Sequence, residues 1–362
     1  MKLPRLRGRR AGPPEPGAGG TVFLHVGAPK TGTTYLQQVL WQNRAALGAS
    51  GIAYPLEDPR EHFAATMDLR EMTWGDRRDP EWDGAWNRVA ERARRWPGRC
   101  AVFSNELLGG ADAEQIQRAV GSLQPAEVRV IFTARDLARQ LPSDWQEQVK
   151  HTHAITFDEF VDDLVANGMA AREPFGPMFW GLHDAVHVLR PWADVVGADR
   201  VHVVTVPPHG APRDTLWRRF AGVLDLDPDS CDLEVEADNP SLGAVEAELL
   251  RRTNERADRR QPRIYREHIR GQLIDEVLAR RSGHAPIALP DRHLDWVRKR
   301  SQELIDGVRD AGYVVVGDLM DLQPATAATG AIDPAGISDD TLFDAALDAL
   351  AGLVTEPAEP RE

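Results

Sequence analysis

Cysteine is nearly absent. The 362 residues contain two, Cys100 and Cys231, too few for a disulfide framework or a four-ligand zinc site built on thiolates. Both stand in apolar or mixed surroundings, which suits buried free thiols in a reduced, cytoplasmic protein without a structural metal. Long apolar runs are missing too, since no stretch approaches the roughly 18 to 20 apolar residues of a membrane-spanning helix. The basic start, MKLPRLRGRR, leads into Pro, Gly, Ala and Glu rather than an apolar stretch. Residues 1–20 therefore read as a disordered basic arm and not as a signal peptide. Positive charge is short as well: a formal net charge of −13 argues against holding long nucleic acid on a positive surface. It leaves room for a small anion in a local basic pocket. What remains, 42% hydrophobic and 27% charged residues, describes a globular chain.

Four short β-branched runs stand out: Thr21–Val26, Cys100–Phe103, Val128–Thr133 and Val201–Val206. Each is nearly continuous in apolar residues, as expected of strands buried on both faces of a parallel sheet. Tyr313–Val316 offers a later strand. Between them lie helical patterns: Leu36, Leu40, Asn43 and Leu47 share one spacing, Ala113–Leu123 forms a second helix, and a third runs from Pro142 towards Lys150. The alternation predicts an α/β fold of three layers, with a mainly parallel central sheet flanked by helices. The folded domain is expected over residues 21–321. Residues 322–362 read as an acidic, mostly flexible tail in which Thr341–Leu353 has an amphipathic pattern.

In such sheets ligands gather at the carboxyl ends of the strands. The first strand ends in Gly27-Ala28-Pro29-Lys30-Thr31-Gly32-Thr33-Thr34, which opens a helix. A helix start offers unpaired N–H groups and the positive end of the peptide dipoles to phosphate. Gly32 permits close backbone approach, Thr33 and Thr34 add hydroxyls, and Lys30 adds a charge. The loop is not the ATP- or GTP-binding Walker A pattern, because its lysine precedes the second glycine. A plain capping turn would leave Lys30 solvated.

This loop resembles the PKSGTT or PKTGTT loop of the sulfotransferase family, which wraps the 5′-phosphosulfate of PAPS (3′-phosphoadenosine 5′-phosphosulfate). The resemblance implies a P-loop-like fold, nucleotide binding by Lys30, Thr31, Gly32, Thr33 and Thr34, and contact of Lys30 with the sulfate-bearing end. It also implies that Arg135, past the third strand, and Ser143, eight positions later, hold the 3′-phosphate. A guanidinium binds phosphate through paired hydrogen bonds, and a serine adds another. The competing assignments are a Ser143–Gln146 capping box and an ion pair of Arg135 with Asp136 or Asp144. The run TARDLARQLPSDWQE, with VTVP and LWRRF later, resembles bacterial sulfotransferase-like proteins. The usage of Ala, Arg, Gly and Pro points to an actinobacterial source.

Sulfuryl transfer by in-line displacement needs a base for the acceptor's proton. Glu106, after the second strand in SNE, is the first candidate, and its competing role is to stabilise a helix start. His62 is the rival base or an acceptor contact. His25, His151 and His153 have no assignment. Ser241, beside Asn239, caps the next helix, expected over Leu242–Asn254, with contact to the acceptor as the competing assignment. Arg259, Arg260, Arg263 and Arg266, around Tyr265, form a basic patch that either completes the 3′-phosphate site or faces solvent. Trp145, Trp180, Trp192 and Trp217 stack on adenine or a sugar, or fill the core. The acceptor pocket is expected from the loops 51–96 and 152–192. The function expected is PAPS-dependent transfer to a hydroxyl or amine of a carbohydrate, lipid or natural product, with PAP as product and no metal. The alternatives are a small-molecule kinase and an inactive PAP-binding module.

Overall fold

The computed structural model of the chain describes residues 20–73, 77–235, 241–257, 265–281, 283–324 and 329–354. Among them six strands form one parallel sheet in the order β2-β3-β1-β4-β5-β6. The strands are β1 (Thr21–His25), β2 (Ile52–Ala53), β3 (Cys100–Ser104), β4 (Glu127–Ala134), β5 (Val201–Thr205) and β6 (Val314–Val316). The four apolar runs are the four central strands, and the YVVV run supplies β6 at an edge. Every residue of β3 and β5 is buried, so both faces of the sheet are covered. The α/β fold class expected from the sequence is the one observed.

The helices of the first half are α1 (Thr33–Gln42), α2 (Arg44–Ala49), α3 (Glu61–Leu69), α4 (Ala85–Arg95), α5 (Ala113–Ser122), α6 (Leu137–Lys150) and α7 (Phe157–Asn167). Later come α8 (Phe175–His183), α9 (Ala185–Val196), α10 (Thr215–Val223), α11 (Ala244–Arg256), α12 (Leu294–Asp310) and α13 (Asp339–Val354). No helix among the described residues is long and apolar enough to cross a membrane. The helix read through Leu36 to Leu47 is broken at Asn43, whose amide donates to the carbonyls of Val39 and Asp232 at 2.9 and 2.7 Å.

Two apolar cores result. One lies on the sheet; the other joins α6, α7, α8, α11 and α12 around Trp145, Phe160, Phe179, Leu250 and Val297. Helix α6 starts one turn before Pro142, capped by Asp136, whose carboxylate accepts from the Arg139 N–H at 3.0 Å. Leu137, Leu141, Trp145 and Val149, spaced by four, are all buried in the second core, and this packing carries the helix across its proline. Ser143 is therefore mid-helix and forms no capping box; the Gln146 side chain accepts instead from the Ser241 hydroxyl at 3.1 Å. Ser241 does not cap α11 either, since Gly243 holds that position without a side-chain bond.

Within the stretch read as a flexible tail, α13 buries Leu342, Ala345 and Ala349. Its Asp339 and Asp348 pair with Arg252 and Arg281 at 2.7 and 3.0 Å. Both cysteines are free and buried, and all four tryptophans singled out above are buried in the cores. Asn239, Arg259, Arg260 and Arg263 lie outside the described residues, as do the side chains of Tyr265 and Arg266.

Candidate functional site

Strand β1 is central, with Thr21 opposite Cys100 of β3 on one side and Glu127 of β4 on the other. The chain crosses over β1 in passing from β3 to β4, so the carboxyl end of β1 is a switch point where a crevice opens. The loop after β1 first follows β4: the N–H groups of Val26 and Ala28 donate to the carbonyls of Ile131 and Thr133, each at 2.9 Å. It then turns through two residues of positive φ, Lys30 (59°) and Gly32 (91°). Gly32 caps α1 without any side-chain hydrogen bond, which leaves the first-turn N–H groups open to an incoming anion.

Gly32 has little room for a side chain. A Cβ there would stand 2.6 Å from Leu216 Cδ2, on a backbone that L residues rarely adopt. Gly32→Ala is expected to lower the unfolding free energy by about 1–2 kcal/mol. Urea titration reads this as a lower midpoint at unchanged slope; an unmoved midpoint would show that the loop yields freely.

Beneath the loop, buried His25 spans two strand ends, with Nδ1 2.8 Å from Ser104 Oγ and Nε2 3.2 Å from Thr133 Oγ1. Burial pushes its pKa down to about 3, only partly offset by a backbone hydrogen bond to Gly27, so the ring is a neutral strut. Thr31 joins this layer: its hydroxyl donates to the Ala28 carbonyl and meets Thr133 Oγ1, both at 2.5 Å. Helix α6 and Arg135, just ahead of its cap, hold the loop from the other side. Gln140 Nε2 donates to the Pro29 carbonyl and Arg135 Nη1 to the Lys30 carbonyl, both at 2.8 Å.

Above the loop is a cleft of about 780 Å³. Lys30, Gly32, Thr33, Thr34, Glu106, Ser143 and the rival base His62 all line it. Thr31 and Arg135 do not: Thr31 faces inward, and Arg135 lies behind the loop with a buried Nε that has no partner among the described residues. Burial pushes the Arg135 pKa down to about 10, with Arg139 adding repulsion and Asp136 opposing both. No ion pair joins Arg135 to Asp136 or Asp144 among the described residues; Asp136 pairs with Arg139. None of the four tryptophans lines the cleft. The aromatic side chains Tyr35 and Phe63 do.

Glu106 begins a short 3₁₀ helix, Glu106–Gly110, whose cap Asn105 accepts from the Leu107 N–H at 3.0 Å. Gln37 of α1 donates to Glu106 Oε2 at 3.1 Å and fixes the carboxylate. Asn105 also decides the state of His62. Its Oδ1 is occupied as an acceptor, so its Nδ2 faces His62 Nδ1 at 2.8 Å as a donor. Burial lowers the pKa of His62 and Glu106 only partly offsets this. A neutral His62 that accepts at Nδ1 carries its proton on Nε2 and can only donate there.

Sequence reasoning named Ser143 and missed the rest of the far wall. Ser143, Gln146, Glu147 and Lys150 occupy one face of α6 at helical spacing, and all line the cleft. That periodicity, read onward from Ser143, would have found them. Glu147 Oε2 stands 2.9 Å from Lys30 Nζ, and its Oε1 stands 3.1 Å from His151 Nε2. Burial alone would raise the Glu147 pKa, but His151 and Lys30 together hold it well below the ordinary carboxylate range. Among the described residues no group of His, Cys, Asp and Glu is arranged to hold a metal ion.

Fold and site together define a parallel α/β protein in which Lys30, an uncapped helix start and the carboxylate of Glu106 share one cleft. No protein-family model matches the chain, and no curated protein does. Among solved structures the chain is similar to a crystal structure of a sulfotransferase from Alicyclobacillus acidocaldarius, at 17% identity and a TM-score of 0.37. The match covers 60% of this chain and 85% of that one.

Proposed function

We propose that the chain is a sulfotransferase that moves the sulfuryl group of PAPS to an acceptor hydroxyl or amine. The observation that carries the reading is the conjunction in one cleft of Lys30, the open start of α1 and the carboxylate of Glu106. The loop N–H groups, Lys30, Thr33 and Thr34 hold the 5′ end of the donor. Ser143 binds the 3′-phosphate, and Arg135, whose Nε has no partner among the described residues, completes that site from behind the loop. Glu106 accepts the proton as the acceptor oxygen or nitrogen bonds to sulfur and the bond from sulfur to the bridging oxygen breaks. PAP leaves with that bond's electron pair. His62 donates from Nε2 and orients the acceptor.

Calorimetric titration with PAP, AMP and ATP tests the donor half. PAP is expected to bind tightest, because it alone of the three carries a 3′-phosphate. Preference for ATP would favour a kinase and overturn the reading. Transfer of labelled sulfate from PAPS into cell extract tests the second half, and PAP binding without transfer would leave an inactive nucleotide-binding module.

A further inference from the structure

Behind the helix Glu106–Gly110 lies a second cavity of about 940 Å³, which shares Leu107, Met178 and Leu182 with the cleft. Its wall is mostly apolar and includes Met72, Met169 and Met178. Met169 and Met178 are 45% and 38% exposed, so this wall is open to a ligand. Methionine is unbranched and polarizable, so such a wall adapts to an apolar ligand.

Three arginines, Arg70, Arg190 and Arg300, stand in this wall. Arg70 donates from Nη1 to the Leu107 carbonyl at 2.7 Å, while its buried Nε has no partner; it forms no ion pair among the described residues, and Asp112 in the same wall is the carboxylate whose charge reaches it. Arg300, in the same wall, is instead paired with Asp184 and Glu303 at 2.5 and 2.9 Å. The guanidinium of Arg70 rests against Gly110, where a Cβ would come within 2.7 Å of Nη2. A half-buried guanidinium that lines this chamber and forms no ion pair among the described residues keeps donors for an anion, although Asp112, Asp184 and Glu303 line the chamber too. Four residues of 3₁₀ rise, at about 2.0 Å each, set Gly110 about 8 Å beyond Glu106.

We infer that this chamber binds the acceptor, and that the acceptor is an amphipathic hydroxy acid: its hydroxyl meets Glu106, its apolar body fills the methionine-lined wall, and its anionic end pairs with Arg70. The identity of the ligand as acceptor rests on the sulfotransferase reading; its binding in the chamber does not. In the transfer step the hydroxyl proton passes to Glu106, the acceptor oxygen bonds to sulfur, and PAP departs.

The test is calorimetry with ω-hydroxylauric acid, lauryl alcohol and glucosamine on the full chain, on Arg70→Gln and on Met178→Glu. The hydroxy acid is expected to bind and glucosamine not to. Arg70→Gln should weaken the hydroxy acid by about tenfold and leave lauryl alcohol unchanged, the loss of one charge-assisted pair. Met178→Glu, at an exposed position that folding tolerates, should weaken both apolar ligands. Equal binding of the hydroxy acid to wild type and Arg70→Gln, or to wild type and Met178→Glu, would overturn the inference, as would preference for glucosamine. Circular dichroism checks that each variant is folded, and PAP is titrated alongside. PAP binding without hydroxy-acid binding refutes the chamber alone; hydroxy-acid binding without PAP binding refutes the donor reading alone.

Discussion

Glu106→Gln is expected to slow transfer from PAPS by about a hundred- to ten-thousand-fold, the usual worth of a general base. PAP affinity should stay within about twofold, since the substituted group contacts acceptor rather than phosphate. Glutamine keeps the size of the side chain and an oxygen that can go on accepting from Gln37, now 3.1 Å from Glu106 Oε2. What it loses is the ability to take a proton. His62→Ala should reduce transfer less, because His62 accepts at Nδ1 from Asn105 and its remaining ring nitrogen is a donor. Single-turnover rates and PAP calorimetry on both variants separate these roles. Full activity in Glu106→Gln, or a larger loss in His62→Ala, would remove Glu106 as the base.

Two carboxylates of the cleft, Glu106 and Glu147, were unequally legible. Glu106 was visible because a buried strand ends two residues before it, and strand ends are where a parallel sheet gathers its ligands. Glu147 was not, because its only signal is a position on the face of a helix whose start Pro142 obscured. Propensity places a proline in the first turn; packing of Leu137 and Leu141 against the second core starts α6 earlier. The same error gave Ser143 its competing assignment as a cap. The sheet read well, since nearly continuous apolar runs of four to six residues mark its centre, whereas the two residues of β2 carry no such pattern. Arg135 shows a further limit. Its place after β4 was evident, but its turn towards the Lys30 carbonyl depends on contacts across 105 positions that no local pattern encodes. The second chamber was hidden for the same reason: Arg70, Leu107, Met178 and Arg300 come from four separated segments.

Lys30→Ala should lower PAP affinity by about tenfold to a hundredfold, as for removal of a charge-assisted contact. Transfer should fall further, by about another hundredfold, because charge on the bridging oxygen grows only as the bond to sulfur breaks. The variant has a second signature, independent of any ligand. Glu147 is held below its ordinary pKa despite burial, with Lys30 and His151 as the groups that outweigh it. A carboxylate whose folded pKa is depressed contributes stability above its unfolded pKa, and that contribution fades as pH falls through the folded value. Without Lys30 the folded pKa of Glu147 rises towards the ordinary range, so the loss begins at higher pH. Acid unfolding of Lys30→Ala, followed by circular dichroism, should therefore have its midpoint at higher pH than the wild type. Glu147→Gln should do the opposite to binding: Lys30, freed from its 2.9 Å partner, no longer divides its charge between the protein and the donor, and PAP affinity should rise. A fall in PAP affinity in that variant would instead mean that Glu147 positions Lys30 for the donor, and that the ion pair persists when the cleft is filled.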